Sequence, residues 1–189
     1  RGDRGAAAVR VLLIGLGRWG EKHLRVLTEL GAEVWVADVV EERRAFAIKA
    51  GVPRARAVAD YRDALPNVEA VDLVTPADSH LAIAGDCLRA GRHCFVEKPL
   101  TLTVAEGREL AALVSPTGRV RQVGDFFRFH PVTVALRERL ASGGVGPVRY
   151  CTGRFAGFKR PRADVGVTQT DAIHYFDLFA HLLGRPATA

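Results

Sequence analysis

The first two thirds of the chain alternate short, wholly apolar runs with longer segments in which apolar residues recur at helical spacing. The apolar runs predict β-strands at residues 9–14, 34–37, 70–74, 93–96 and 119–123. The intervening segments predict helices at residues 21–30, 41–50, 77–90 and 104–114, with a short helix at 60–65. Strands that are apolar on both sides need cover on both faces. The pattern therefore predicts an α/β fold with a doubly wound parallel sheet of the Rossmann type.

The pattern changes after Gly124, which divides the chain into predicted units at residues 1–123 and 124–189. In the second unit, helices are predicted at residues 131–141 and 168–183. Side chains that alternate between apolar and polar predict a long strand at residues 147–158. So few elements do not form an independent domain. We expect this unit to be partial, because the remainder is truncated, disordered or supplied by another copy.

Composition excludes some functions and leaves others open. The 27 Lys and Arg residues outnumber the 21 Asp and Glu residues, which gives a formal net charge of +6. The arginines are scattered, which disfavours nucleic-acid binding and leaves anionic substrates open. The cysteines form no paired motif, so we expect free thiols, no metal site and a reducing, cytoplasmic compartment. No apolar run predicts a membrane span or a signal peptide. The chain contains no Met, so we expect either that its N-terminus has been trimmed or that residues such as a modified methionine are missing from it.

A glycine-rich turn, Gly15-Leu16-Gly17-Arg18-Trp19-Gly20, joins the first predicted strand to the first helix. Gly15 permits a tight turn, Gly17 lets a pyrophosphate approach the backbone, and Gly20 lets the helix lie close to the strand. The first N–H groups of that helix would face the phosphates. Strand, glycines, helix and second strand follow in the order that dinucleotide binding requires. The alternative is a turn of purely structural value.

Asp38 follows the second predicted strand, where a carboxylate accepts the ribose hydroxyls of a dinucleotide. A carboxylate repels a 2′-phosphate, so we expect NAD(H) to be preferred to NADP(H). Arg43 and Arg44 lie a few residues further on and would soften this discrimination.

Two further loops follow predicted strands, at the sheet edge where ligands of open α/β folds bind. In the first, Thr75-Pro76 is followed by Asp78-Ser79-His80, which predicts a side-chain cap on the next helix. In the second, Glu97-Lys98-Pro99 places an ammonium group where it could stabilise negative charge on a substrate oxygen. By itself, Glu-Lys-Pro is also typical of a surface turn.

The joint order of these motifs resembles the Gfo/Idh/MocA family of NAD(P)-dependent oxidoreductases, which act largely on sugars and polyols. The matching signatures span nearly the whole chain: Gly15–Gly20, Asp38, Thr75-Pro76 with His80, Glu97-Lys98-Pro99, Arg128-Phe129-His130-Pro131, and His174 with Asp177. The tract at residues 157–174 looks most like members that oxidise the 3-hydroxyl of nucleotide-linked N-acetylhexosamines. The resemblance implies an enzyme that transfers a hydride between nicotinamide and a sugar carbon.

The resemblance also implies roles for individual residues. Lys98 would orient the reacting hydroxyl, and His174 would act as general base in oxidation and general acid in reduction. The cofactor would contact residues of each motif: Gly15, Leu16, Gly17, Arg18, Trp19, Gly20, Asp38, Thr75, Pro76, His80, Glu97, Lys98 and Arg128. Without the resemblance, the sequence favours His174 as a histidine that only packs within its helix, beside Phe176.

The chain departs from the family pattern in two places. Many relatives carry an aspartate four residues before the histidine, where this chain has Thr170. Asp171 lies three residues before His174, so it could orient the imidazole from the same helix face, or the pair is broken, or a residue between them is missing. Relatives also carry a complete α+β substrate domain that commonly forms subunit contacts. Residues 124–189 would be the start of it, which predicts a homo-oligomer.

The substrate class follows from charge near the end of the chain. Four basic residues surround the loop before the last predicted helix: Arg154, Lys159, Arg160 and Arg162. Arginine pairs bidentately with phosphate, which predicts a nucleotide-diphosphate sugar as substrate, and the alternative is a solvated loop. A non-catalytic dinucleotide-binding sensor or interaction subunit is the competing function, although such a module has no need of both Lys98 and His174.

Overall fold

The computed structural model describes residues 7–114, 119–157 and 165–185. The chain divides into two compact units, and the division falls between Val123 and Gly124. No described helix has the length and apolar character that crossing a membrane demands.

The first unit is built on a six-stranded sheet in which every paired strand is parallel. Its strands are β1 (Arg10–Ile14), β2 (Glu33–Ala37), β3 (Ala57–Val58), β4 (Ala70–Leu73), β5 (His93–Val96) and β6 (Arg121–Val123). The spatial order is β3-β2-β1-β4-β5-β6. The strands β2 and β3 lie on one side of β1, and β4, β5 and β6 lie on the other side. The change of side between β1 and β4 makes a topological switch point there. The predicted Rossmann-type fold is confirmed.

Helices cover both faces of this sheet. They are α1 (Arg18–Glu29), α2 (Glu41–Lys49), α3 (His80–Arg89) and α4 (Val104–Ala112). Neighbouring residues of β1 belong to different cores: Leu12 packs in one cluster and Leu13 in the other. Successive strand side chains point to opposite faces, so a strand with two buried faces must be apolar throughout. This requirement explains why continuous apolar runs predicted the strands.

Two local predictions in the first unit were inaccurate. The short helix predicted at residues 60–65 is a pair of 3₁₀ turns, Tyr61–Asp63 and Leu65–Asn67. Pro66 has no N–H to donate, so it interrupts an α-helical ladder at this point. The helix predicted at residues 77–90 begins with a 3₁₀ turn, Ala77–Ser79, and becomes α-helical only at His80.

The described part of the second unit contains two α-helices that contact each other, α5 (Pro131–Ala141) and α6 (Ile173–Leu183). A 3₁₀ turn, Phe126–Phe129, precedes α5, and a π-helical turn, Thr168–Ala172, precedes α6. The helix predicted at residues 168–183 therefore changes its hydrogen-bonding register within the first turns.

The strand predicted at residues 147–158 is wrong over the part that the structure describes. Residues 148–157 are exposed and form no strand, and no other strand occurs among the described residues of this unit. Alternation of apolar and polar side chains indicates that a segment has one apolar face and one polar face. A β-strand also needs a neighbouring strand to pair with its backbone N–H and C=O groups. Gly153 of this segment packs on α6, where an added Cβ would lie 2.3 Å from the Tyr175 ring.

Candidate cofactor and catalytic site

The glycine turn brings the start of α1 very close to the end of β1. Gly15 has a φ of +93°, in the left-handed region that favours glycine, and an added Cβ would lie 2.9 Å from the Val74 carbonyl oxygen. A Cβ on Gly20 would lie only 2.0 Å from the Gly15 carbonyl oxygen. The helix can therefore start at this position only if residue 20 has no side chain.

Gly17 has the opposite environment, because nothing lies within 4 Å of an added Cβ. It is the N-cap of α1, and none of the described side chains caps this helix end. Arg18 and Trp19, the first helical residues, are exposed. Open space beside uncapped N–H groups suits a pyrophosphate, which these groups and the helix dipole would stabilise. The residues present therefore fit a dinucleotide.

Asp38 is held beside the glycine turn by two backbone N–H groups. Its Oδ2 accepts the Leu16 N–H at 2.7 Å, and its Oδ1 accepts the Val40 N–H at 2.9 Å. The two neighbouring arginines donate to backbone carbonyls: Arg43 to Leu16 O and Arg44 to Asp38 O, each at 2.6 Å. The carboxylate is fixed at the end of β2, with guanidinium groups anchored nearby.

The loop after β4 is tied together by its own side chains. The hydroxyls of Thr75 and Ser79 lie 2.7 Å apart, and Ser79 also donates to the Pro76 carbonyl at 2.7 Å. The predicted side-chain cap on the following helix is wrong, because Ser79 has helical backbone angles and makes no cap hydrogen bond. Its hydroxyl stabilises the loop instead.

His80 links this loop to the one after β5. The ring is 1% exposed. Its Nε2 lies 2.9 Å from the Thr75 carbonyl oxygen, and its Nδ1 lies 3.0 Å from that of Pro99. Such a ring supports the two loops from within the protein.

The Glu97-Lys98-Pro99 segment leaves the sheet next to that loop. The Glu97 N–H donates to Leu73 O at 2.9 Å, which continues the pairing between β4 and β5. Glu97 Oε2 accepts the Lys98 N–H at 3.1 Å. Lys98 is half-buried and Pro99 is buried. The structure thus places Thr75, Glu97 and Lys98 at one edge of the first unit.

Sequence reasoning missed His23 of α1. Its Nδ1 lies 2.9 Å from Asp72 Oδ2, and its Nε2 lies 3.4 Å from Glu97 Oε1. Burial lowers the pKa of His23, but hydrogen bonds and charge from both carboxylates outweigh burial and raise this pKa to about 9. The missed signal was Asp72, a charged residue inside an otherwise apolar strand, because a buried carboxylate needs a partner.

In the second unit, His174 lies among aromatic rings. It is 7% exposed. Phe127 meets it edge-on at a centroid distance of 4.8 Å, Phe126 does so at 5.6 Å, and Phe155 lies at 6.4 Å. Two of these rings, Phe126 and Phe155, are themselves about half exposed, at 48% and 50%.

Arg128 and Asp171, two further predicted site residues, lie in the second unit. The Arg128 guanidinium pairs with Asp177 of α6, where Nε lies 2.8 Å from each carboxylate oxygen. Asp171 lies in the π-helical turn that precedes His174. A π-helix bonds each residue to the fifth one along instead of the fourth. The expectation that Asp171 and His174 share a helix face assumed α-helical spacing, and part of the segment between them has π-helical spacing instead.

Several residues of the predicted phosphate-binding loop lie outside the described part of the chain: Lys159, Arg160 and Arg162. Arg154 is described and is exposed. Among the described residues, no group of three or more His, Cys, Asp or Glu side chains could hold a metal ion.

Comparison with known proteins identifies a family. The family described as "Oxidoreductase family, NAD-binding Rossmann fold" (GFO_IDH_MocA) matches residues 9–125. The matched region contains every candidate cofactor residue of the first unit. It confirms NAD as the cofactor at the level of the family.

Curated relatives match over almost the whole chain. The chain is 33% identical to UDP-N-acetylglucosamine 3-dehydrogenase of Acidithiobacillus ferrooxidans, covering 93% of this chain and 55% of the relative. It is 31% identical to scyllo-inositol 2-dehydrogenase (NAD(+)) of Bacillus subtilis, covering 96% and 56% respectively. The chain thus spans about half the length of these relatives.

Solved structures show the same relationship. GenD2 from gentamicin A biosynthesis, in complex with NAD, matches with a TM-score of 0.81 and 30% identity, over 99% of this chain and 57% of that one. A probable dehydrogenase from Thermotoga maritima matches with a TM-score of 0.78 and 26% identity, over 93% and 55% respectively.

Proposed function

Because this chain belongs to the Gfo/Idh/MocA family of NAD-binding oxidoreductases, we propose that the whole protein transfers a hydride between nicotinamide and a sugar or nucleotide-sugar carbon. The observation that carries the proposal is the open space at Gly17, beside an uncapped helix N-terminus and the fixed Asp38 carboxylate. A turn of purely structural value needs none of these three features.

The dinucleotide would be held by the first unit. The N–H groups of Arg18 and Trp19 would bind the pyrophosphate, and Asp38 would accept the ribose hydroxyls. Thr75, Pro76 and Glu97 would line the nicotinamide end. When bound, NAD⁺ supplies the hydride acceptor. His80 is buried, so its role is to support these loops.

Lys98 and His174 would perform the proton chemistry. The Lys98 ammonium would donate a hydrogen bond to the reacting oxygen and stabilise negative charge on it. In oxidation, the hydroxyl proton would pass to the His174 imidazole as the carbon–oxygen double bond forms, and in reduction it would return. Asp171 would orient the imidazole. We assign Arg128 to the support of α6, because Asp177 already binds its guanidinium.

Charge and one relative favour a nucleotide-linked sugar as the substrate. Arg154, with Lys159, Arg160 and Arg162, would supply the cations that bind a diphosphate. The relative from Acidithiobacillus ferrooxidans is named for a UDP-linked sugar. The relative from Bacillus subtilis is named for scyllo-inositol, so a free polyol is the second candidate.

The protein would work on this small molecule as a homo-oligomer in the cytoplasm, without nucleic acid or membrane. Large exposed apolar side chains in the second unit support association: Phe129 at 68%, Val132 at 67%, Tyr150 at 83% and Phe176 at 62%. Surfaces of this kind are usually covered, either by the rest of a chain or by another copy.

The test uses the full-length protein and follows NADH formation with free and UDP-linked sugars. We expect turnover with UDP-linked sugars, weakened by added salt because salt screens a phosphate contact. Lys98→Ala and His174→Ala should each lower kcat about 100-fold or more while NADH affinity stays within about threefold. Lys49→Ala, which removes an exposed lysine of α2, is the matched control. NADH binding without turnover on any sugar would establish the non-catalytic alternative.

A further inference from the structure

Three ionisable residues from three elements meet beneath the sheet edge of the first unit. His23 comes from α1, Asp72 from β4 and Glu97 from the end of β5. Their side chains are 18%, 10% and 16% exposed, in that order. We call these residues the His23 clamp.

Both ring nitrogens of His23 face carboxylate oxygens, which only accept hydrogen bonds. A neutral imidazole carries a single N–H and could serve only one carboxylate, whereas an imidazolium serves both. Asp72 Oδ1 is buried and has no hydrogen-bond partner within the described chain, so the contact of Asp72 Oδ2 with His23 is the ion pair that the structure gives this carboxylate. Phe95 of β5 adds only an apolar ring, 6.0 Å from the imidazole. With a pKa of about 9, His23 is charged at neutral pH.

The clamp extends to Lys98 through Glu97. Glu97 Oε1 faces His23 Nε2, and Glu97 Oε2 accepts the Lys98 N–H at 3.1 Å. Each carboxylate oxygen therefore has its own donor, which fixes the Glu97 side chain at both ends. A half-buried carboxylate that lost one of these donors would be free to rotate or to draw in water.

We propose that His23 is a positioning residue: its cation, shared by Asp72 and Glu97, holds Glu97 in the orientation that fixes the backbone of Lys98. This inference rests on the proposed function, because Lys98 is the group assigned to the reacting oxygen. The same helix carries the predicted phosphate site at its N-terminus and His23 further along. One helix would thus bind the cofactor and order a residue that acts on the substrate.

The kinetic test compares His23→Gln and His23→Arg in the full-length enzyme, with Arg25→Gln as the control. Arg25 lies on the same helix but is exposed and pairs with Glu29. We expect His23→Gln to lower kcat about tenfold with NADH affinity within about threefold. We expect the wild type to lose activity as the pH rises through about 9, and His23→Arg should recover part of kcat and remove this loss, because a guanidinium stays charged there. Wild-type kcat and pH profile in both variants would overturn the inference.

A second readout does not need turnover. The backbone ¹⁵N–¹H resonance of Lys98 should shift with the same midpoint as the His23 ring in the wild type, and this shift should vanish in His23→Arg. A Lys98 chemical shift that does not change as His23 titrates would overturn the inference. If His23→Gln does not fold, the arginine variant carries both measurements. If the wild type oxidises no sugar but the Lys98 resonance shifts with the titration of His23, the proposed function is wrong and the positioning role of His23 is supported.

Discussion

Replacing Gly20 by Ala tests how closely α1 must approach the glycine turn. The added Cβ would lie 2.0 Å from the Gly15 carbonyl oxygen and 2.9 Å from the Gly15 carbonyl carbon. Both are backbone atoms, so no side chain can rotate to relieve the overlap, and the helix must move away by about 1 Å or more. Overpacking of this kind costs about 1–3 kcal/mol, and we expect about 3 kcal/mol because the contact is rigid. That loss is a large part of the stability of a typical domain.

Gly17→Ala is the matched control, since it makes the same chemical change within the same motif. Its Cβ meets no atom within 4 Å, and its φ of −69° suits alanine. The free energy of unfolding in urea should therefore change by less than about 1 kcal/mol. NADH affinity should instead fall about tenfold, because the methyl group occupies the space of the pyrophosphate. Wild-type stability in Gly20→Ala, or wild-type NADH affinity in Gly17→Ala, would refute the reasoning.

Two further predictions concern charge. Asp38→Ala should raise the affinity for NADPH relative to NADH about tenfold or more. The substitution removes the carboxylate that repels a 2′-phosphate and leaves the anchored Arg43 and Arg44 nearby. Titration of the protein with each cofactor measures the two affinities. The pKa of His23 is raised from 6.5 to about 9 on folding, so its stabilisation is complete below about pH 6.5 and lost as the pH rises through about 9. Urea unfolding near pH 6 and pH 10 should show a loss about 2–3 kcal/mol larger in the wild type than in His23→Gln, and equal losses would contradict the assigned ion pairs.

Local pattern predicted the first unit well because its strands are short and buried on both faces. The apolar runs around Leu12 in β1 and Val71 in β4 supply the buried side chains that a strand covered by helices on both faces requires. The same logic failed at residues 148–157, because alternation says nothing about whether a partner strand exists. The sequence also did not indicate the π-helical turn at residues 168–172, which changes the spacing that an α-helix would impose between Asp171 and His174.

The glycine turn and Lys98 could be found from sequence because a turn and a strand end are local features. The His23 clamp could not, since its ion pairs join residues 49 and 74 positions apart (72 − 23 and 97 − 23). Asp72, a carboxylate in an apolar strand, indicated only that some polar or charged partner was needed. The identity of that partner depends on how α1 packs over β4 and β5. Long-range electrostatics of this kind require the fold to be known first.

The brace that His80 forms has a consequence for engineering the substrate or cofactor preference of this protein. A single buried ring spans the backbone of Thr75 and Pro99, so the loops after β4 and β5 do not adjust independently. A graft that exchanges one loop alone would pull the ring away from the carbonyl of the other. Residues 75–80 and 97–100 are best transplanted together, as one cassette with its histidine included.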